Sequence, residues 1–238
     1  MAVKIYTCAF RSNIYIDEAK LCIEALRKNG KFQGEIFLLT DMNVNISGVN
    51  VIKAECRSIS DSSAFRLKIF DYLTFHQDDI VIYMDTDVVT LKRLPNFTIH
   101  DDKVHVYGYN GEHFPKRKQI EKSFAGHITN DVNIVNLHPF CAGILVFKPT
   151  KNIESLFKEA YQLFEYHEKM NNINDCWEQP MLNLVLARND MYEISLNEFV
   201  HEQRTNKAIR DSVVFNHLCG MRGPSRRNIM SSYIKSDV

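Results

Sequence analysis

Short apolar runs alternate along this chain with longer segments of helical periodicity. Strands are predicted at VKIYTCA (3–9), GEIFLLTD (34–41), VNVIKAE (49–55), IVIYM (80–84), VHVYGY (104–109), FCAGILVFKP (140–149) and MYEISL (191–196). Helices are predicted over 16–30, 62–75, 153–170 and 177–190, where apolar residues recur every three or four positions. Near-continuous apolar strands that alternate with helices are typical of an α/β fold with a mostly parallel central sheet flanked by helices.

The remaining segments are less regular. The helix at 62–75 is expected to begin at Asp61 or Ser62, and the polar stretch 110–133 predicts a long loop or a region of short helices that lies over a site. The tail SVVFNHLCGMRGPSRR (212–227) predicts a strand and then a glycine-rich turn, whose basic pair at 226–227 is expected to be solvated. Since there is no repeat or linker, one domain is expected over 1–238.

Charge and composition exclude several classes of protein. The 238 residues contain 29 Lys+Arg and 29 Asp+Glu, so no net charge recruits nucleic acid or an anionic membrane. No apolar run approaches the ~20 residues of a membrane span, and the first segment reads as a strand and not as a signal peptide. The six cysteines include no CxxC pair and are read as reduced core residues. These features predict a cytoplasmic protein, with peripheral attachment to a membrane left open.

Two aspartates directly follow the buried strand 80–84. Side chains two residues apart in extended chain face the same way, so Asp85 and Asp87 can aim at one point beyond the carboxyl end of the sheet. Neighbouring carboxylates repel each other unless positive charge lies between them. Their hard oxygen atoms suit Mg²⁺ or Mn²⁺ that also contacts substrate phosphates. A solvated strand exit is the alternative.

A haloacid-dehalogenase-like phosphatase also places D-x-D after an apolar strand. In that interpretation Asp85 is the nucleophile and Asp87 the acid. However, that family carries its motif on the first strand of the core, and three strand-like segments come first here. It also needs a later strand-terminal acidic pair, and no strand leads into the Asp-Asp pair at 101–102.

Several motifs in sequence order resemble the GT-A glycosyltransferases, and most closely family 8, the glycogenin and lipopolysaccharide galactosyltransferase group. They are IYTCAFRSNIYIDEAKLCIEALRKNG, SSAFRLKIFDYL, IVIYMDTDVVTLKRL, FCAGILVFKP, EQPMLN and FNHLCGMRGP. The resemblance implies a GT-A fold, with a nucleotide-binding half at 1–100 and a sugar- and acceptor-binding half at 101–238. It implies transfer of a sugar from a UDP-sugar donor to an acceptor hydroxyl on a glycan, a lipid-linked saccharide or a protein, with retention of anomeric configuration.

The resemblance also implies roles for individual residues. Asp85, Asp87 and His217 would bind Mn²⁺ or Mg²⁺, and imidazole suits Mn²⁺ better. Gly220 and Arg222 would contact the diphosphate. Catalytic or donor-sugar roles fall to Arg66, Glu178 and Gln179, with Gln179 beneath the anomeric carbon. Nucleotide contacts are expected from Tyr6, Thr7, Cys8, Ala9, Asp41, Arg66, Asp85 and Thr86.

Some residues depart from the family pattern. Cys141 stands where the family has Asn, Arg222 stands where it has Lys, and no Trp follows Pro224. These differences bear on the donor sugar more than on the fold. Two further alternatives stay open. A nucleotidyltransferase is expected to carry a glycine-rich loop before its first helix, which TCAFRSNIY lacks. A non-catalytic nucleotide-sugar-binding protein would keep the metal site without turnover.

Overall fold

A computed structural model describes residues 2–108, 138–173, 176–203, 208–221 and 223–235, and in them a seven-stranded sheet forms the centre of the molecule. Its strands lie in the order β3-β2-β1-β4-β7-β6-β8. They are β1 (Val3–Cys8), β2 (Glu35–Thr40), β3 (Asn50–Lys53), β4 (Ile80–Met84), β6 (Val104–Gly108), β7 (Phe140–Phe147) and β8 (Tyr192–Ile194). A separate sheet pairs β5 (Val88–Thr90), β10 (Phe215–His217) and β9 (Val200–Glu202) in the order β5-β10-β9.

All strands of the central sheet run in one direction except β7. The pairs β3–β2, β2–β1, β1–β4 and β6–β8 are parallel, whereas β7 is antiparallel to both β4 and β6. Every residue of β4 and β7 is buried, as expected for strands covered on both faces. The mostly parallel α/β sheet predicted from the apolar runs is therefore confirmed.

Helices cover both faces of this sheet. They are α1 (Asn13–Lys28), α2 (Ile59–Ala64), a 3-10 turn at Phe65–Lys68, α3 (Ile69–Tyr72), α4 (Lys151–Lys169), α5 (Gln179–Arg188) and α6 (Pro224–Lys235). Ser12 caps α1, and Thr150 caps α4 by accepting a hydrogen bond from the Ile153 amide. Among the described residues, none of these helices combines the length and apolarity needed to cross a membrane.

The segment predicted as one helix over 62–75 is broken. It begins earlier, because the Ser58 hydroxyl accepts a hydrogen bond from the Asp61 amide and caps α2. The helix then tightens into the 3-10 turn and ends at Tyr72, since Leu73 is extended. Neither Asp61 nor Ser62 is the cap. The tightened turn carries Arg66, which points back to the carboxyl end of the sheet.

The C-terminal part differs most from the sequence prediction. The strands β5 and β9 and the helix α6 were not predicted, and their short or weakly periodic apolar patterns explain why. Helix α6 packs along α1, where Lys28 Nζ donates to the Ile234 carbonyl at 2.6 Å. Asn29 Nδ2 donates to the Tyr233 carbonyl at 3.1 Å. The predicted loop at 110–133 lies outside the described residues.

Helix α5 is fastened to β7 by one buried asparagine. Asn183 accepts a hydrogen bond from the Phe140 amide at 2.8 Å and donates to the Phe140 carbonyl at 3.1 Å. The same amide group also donates to the Gln179 carbonyl at 3.0 Å. The asparagine is fully buried, so water could not take over its hydrogen bonds to these backbone groups if the side chain were removed.

Asn183→Ala should therefore lower the free energy of unfolding by about 2–3 kcal/mol, because it leaves the buried amide and carbonyl of Phe140 without this hydrogen-bond partner. Urea denaturation followed by circular dichroism measures the change. Asn189→Ala is the matched control, since Asn189 is exposed at the end of the same helix, and it should cost only about 0.5 kcal/mol. Equal losses in the two variants would contradict this role of Asn183.

Candidate active site

The two aspartates leave β4 in a tight turn at the carboxyl end of the parallel strands. The Asp85 amide donates to the Gly143 carbonyl of β7 at 2.8 Å, and the Val88 amide returns to the Asp85 carbonyl at 3.2 Å. The chain then enters β5, whose Val88 pairs with His217 of β10. The second sheet therefore brings a histidine from far along the sequence beside the aspartates.

Asp85, Asp87 and His217 form one cluster of ligating atoms. One atom from each lies within 4.8 Å of the others. His217 Nε2 is 3.2 Å from Asp87 Oδ1 and 3.9 Å from Asp85 Oδ2. Two carboxylate oxygens and an imidazole nitrogen are a donor set that suits a divalent ion such as Mn²⁺.

An arginine holds the other oxygen of each aspartate. Arg66 Nη1 lies 3.2 Å from Asp85 Oδ1, which also accepts a hydrogen bond from the Tyr83 hydroxyl. Arg226 Nη1 donates to Asp87 Oδ2 at 2.8 Å. The free oxygens, Oδ2 of Asp85 and Oδ1 of Asp87, consequently face His217.

Opposite charges govern the protonation of this cluster. Burial alone would lower the pKa of His217, but the neighbouring Asp87 carboxylate raises it well above its usual range. Burial likewise works against ionisation of Asp87, yet His217 and Arg226 together bring the pKa of that carboxyl below its usual value. An ion bound at His217 Nε2 would take the place of the proton that this raised pKa favours there.

The imidazole of His217 is closely packed by its neighbours. Its Nδ1 is hydrogen-bonded to the Tyr107 hydroxyl, and only 3% of the side chain is exposed. Gly143 also approaches the ring closely, since an added Cβ there would stand 2.5 Å from His217 Cε1. Gly143 and Tyr107 thus fix the ring so that Nε2 points at the aspartates.

Arg66 also connects the aspartates to Glu178 and Gln179. Arg66 Nε lies 2.7 Å from Glu178 Oε1, and its guanidinium lies over the Tyr83 ring at 4.7 Å. Gln179, the first residue of α5, accepts a hydrogen bond from the Ala142 amide at 3.0 Å. The predicted helix 177–190 therefore begins two residues later, because Trp177 has a left-handed backbone (φ 54°) that ends the preceding turn.

A cleft of about 820 Å³ is bordered by Arg66, Tyr83 and the two aspartates, and its wall does not include His217, Glu178 or Gln179. The predicted site residues along its wall are Cys8, Arg66, Asp85, Thr86, Asp87 and Gly220. The thiol of Cys8 stays protonated, because burial raises its pKa well above the usual value, so it supplies no nucleophile. The glycine-rich turn reaches the cleft through Gly220 and Gly223, both at positive φ.

Other predicted site residues lie elsewhere. Tyr6, Thr7 and Ala9 are buried in or just after β1, and the Tyr6 hydroxyl donates to the Arg66 carbonyl at 2.8 Å. Asp41 follows β2, where it accepts a hydrogen bond from the Arg11 amide at 2.9 Å. None of these four residues is on the wall of the cleft. Arg222 lies outside the described residues.

The sequence interpretation missed part of the site. Arg226, expected to be solvated, is largely buried and bound to Asp87 and Glu18. The signal was Glu18, a charged residue on the stripe of α1 that also carries Cys22 and Leu26. A charge on an apolar face predicts a buried partner. No comparable pattern pointed to Tyr107 or to the close approach of Gly143.

The sequence model of glycosyl transferase family 8 matches residues 22–221. The chain belongs to glycosyltransferase family 8. The expected resemblance and the glycosyltransferase class are thereby confirmed. No curated protein matches the chain in sequence.

Solved structures share the fold at low sequence identity. The galactosyltransferase LgtC, in complex with donor and acceptor sugar analogues, is 13% identical with a TM-score of 0.66 over 97% of this chain and 95% of its own. The bifunctional glycosyltransferase WbbM is 13% identical with a TM-score of 0.65, over 99% of this chain and 50% of its own. An LgtC variant in which an active-site glutamine is replaced by glutamate is 14% identical with a TM-score of 0.65, over 98% of this chain and 96% of its own. The GT-A fold is confirmed, and the phosphatase alternative fits neither this fold nor the family.

Gly143→Ala should weaken Mn²⁺ binding about tenfold or more, because the added methyl group would clash with His217 Cε1 and shift an imidazole that is hydrogen-bonded to Tyr107. Isothermal titration with MnCl₂ measures the affinity. The control is Gly108→Ala in the neighbouring strand, where the atoms nearest to the new Cβ belong to the side chain of Ile194, the closest at 2.9 Å. Unchanged Mn²⁺ affinity in Gly143→Ala would show that His217 does not need this space.

Proposed function

We propose that this family 8 member transfers a sugar from a UDP-sugar to an acceptor hydroxyl with the help of Mn²⁺ or Mg²⁺. The observation that carries the proposal is the convergence of Asp85, Asp87 and His217 on one point, where both aspartates line the large cleft. These residues would hold the ion. The ion would stabilise the negative charge that builds on the departing diphosphate.

The donor set fits such an ion. Each aspartate has one oxygen bound by an arginine and one turned toward His217, so one oxygen of each carboxylate is directed at the proposed ion. Imidazole nitrogen favours Mn²⁺ over Mg²⁺, which prefers oxygen ligands and water. Mn²⁺ is therefore the preferred ion of the proposal.

We assign the diphosphate to the side of the cleft formed by the glycine-rich turn. Among the described residues, apart from the immediate chain neighbours, no atom lies within 4 Å of an added Cβ at Gly220 or Gly223, which favours access of a ligand to this backbone. Backbone amides at such a turn can approach phosphate oxygens closely. Arg222, two residues beyond Gly220, is the proposed cation for the leaving group.

The sugar ring is assigned to the space near Glu178 and Gln179. Arg66 links Glu178 to Asp85, so a group at this point lies between the proposed ion and the start of α5. Gln179 is proposed to lie beneath the anomeric carbon, with retention of configuration. The LgtC variant with an altered active-site glutamine is consistent with a glutamine at such a site.

The nucleoside is assigned to the N-terminal half, 1–100, where Cys8, Thr86 and the loop before α1 border the cleft. The residues Tyr6, Thr7, Ala9 and Asp41 do not line the cleft and would support the residues that do. The half 101–238 would receive sugar and acceptor. LgtC binds donor and acceptor sugar analogues, and a saccharide is accordingly the proposed acceptor, free, lipid-linked or on a protein.

UDP should bind the wild-type protein tightly only when MnCl₂ is present, and Asp87→Asn should weaken that binding by at least about tenfold, because the ion loses one of its charged ligands. Isothermal titration with and without MnCl₂ measures both effects. Asp71→Ala is the control, since Asp71 is exposed on α3, and its UDP affinity should be unchanged.

Release of UDP from a panel of UDP-sugars then tests turnover. Metal-dependent UDP binding without any turnover would favour the non-catalytic sugar-nucleotide-binding alternative. Absence of UDP binding under every metal condition would contradict a UDP-sugar donor.

A further inference from the structure

The C-terminal helix reaches the metal-ligand cluster through one arginine. Arg226, in the first turn of α6, directs Nη1 to Asp87 Oδ2 at 2.8 Å. Its other two nitrogens both donate to a single carboxylate, with Nε at 2.9 Å from Glu18 Oε1 and Nη2 at 2.7 Å from Glu18 Oε2. A guanidinium bound in this forked way has a fixed plane and a fixed position.

Glu18 makes this fork rigid. It lies on α1, its side chain is completely buried, and both of its oxygens are used by Arg226. A buried carboxylate without its partner is costly, so the pair is held together by its surroundings. The far ends of the same two helices are joined by the bonds from Lys28 and Asn29 to the last turn of α6. Helix α6 is thus fixed against α1 at both ends.

We infer that the Glu18–Arg226 pair positions Asp87 for metal binding. By holding Oδ2, the arginine leaves Oδ1 as the oxygen that faces His217 Nε2 at 3.2 Å. Asp85 has an equivalent holder in Arg66, which is itself paired with Glu178. Each metal-binding aspartate is therefore oriented by an arginine that a second, buried carboxylate holds in place.

The charges of Glu18 and Arg226 cancel, so the positioning of Asp87 can be tested without a change in net charge. An unpaired arginine beside Asp87 would repel a divalent ion, whereas Arg226 and Glu18 together add no net charge. Removing both charges at once leaves the net charge unchanged and removes the fork together with its contact to Asp87 Oδ2. This inference rests on the proposed metal site, because it concerns the orientation of one of its ligands.

The test is the Mn²⁺ affinity of the double variant Arg226→Met/Glu18→Gln, measured by isothermal titration on the whole chain without nucleotide. We expect the dissociation constant to rise about tenfold or more, the usual effect of removing a partner that orients a metal ligand. Arg226→Lys keeps the charge but lacks the fork, so its affinity should lie between wild type and the double variant.

The matched control is Lys4→Met/Asp79→Asn. This pair is also largely buried, with 3.3 Å between Lys4 Nζ and Asp79 Oδ2, but it lies at the opposite end of the parallel strands. Its loss should lower the melting temperature and leave the Mn²⁺ affinity unchanged, which shows that destabilisation alone does not weaken the site.

Wild-type or tighter Mn²⁺ affinity in the Arg226→Met/Glu18→Gln variant would overturn the inference. So would unchanged Mn²⁺ affinity with weakened UDP binding, since that result makes Arg226 a direct contact of the diphosphate. If the double variant does not fold, wild-type Mn²⁺ affinity in Arg226→Lys overturns it instead. A wild-type protein that binds no Mn²⁺ would contradict the proposed metal site itself and is distinguishable from all of these results.

Discussion

Two carboxylates held one residue apart need positive charge around them. At about 4 Å and an effective dielectric constant near 20, two like charges repel by about 4 kcal/mol. In this chain Arg66, Arg226 and His217 supply the compensation, and each comes from a different element: the 3-10 turn, α6 and β10. The aspartates follow a strand that is buried along its whole length, so these elements must all reach the carboxyl end of the sheet. Much of the architecture serves that requirement.

The departures from a simple parallel sheet meet at this place. The antiparallel strand β7 puts Gly143 beside the turn of the aspartates and leaves room for the imidazole. The small sheet pairs β5 with β10 and so brings His217 opposite Val88. The break of the helix after Ala64 turns Arg66 inward, and Ala142 ties Gln179 to the same strand. These departures from a regular α/β fold share one consequence, because each of them brings a residue to the candidate site.

The sequence predicted the parts of the site that depend on local pattern. An apolar run that ends in two aspartates allowed a metal site at the sheet edge but left a solvated strand exit open, and the resemblance to family 8 added His217 as the third ligand. The predicted limits of the helix at 62–75 were wrong. The apolar period alone indicates a regular helix, whereas the chain forms a 3-10 turn at the buried Arg66. Helix α6 was missed because its apolar residues are few, and with it the role of Arg226. The space at Gly143 and the bond from Tyr107 depend on contacts between distant segments, which no spacing along one chain reveals.

The central claim is that Asp85, Asp87 and His217 jointly bind one metal ion. Anomalous diffraction from a crystal grown with MnCl₂ and UDP, recorded on both sides of the manganese absorption edge, tests it most directly. The account predicts one manganese peak within about 2.0–2.3 Å of oxygens from both aspartates and of His217 Nε2. Arg66 and Arg226 should still hold the outer oxygens of the aspartates. A manganese peak bound elsewhere, or UDP bound in the cleft with no metal between these three side chains, would contradict the claim.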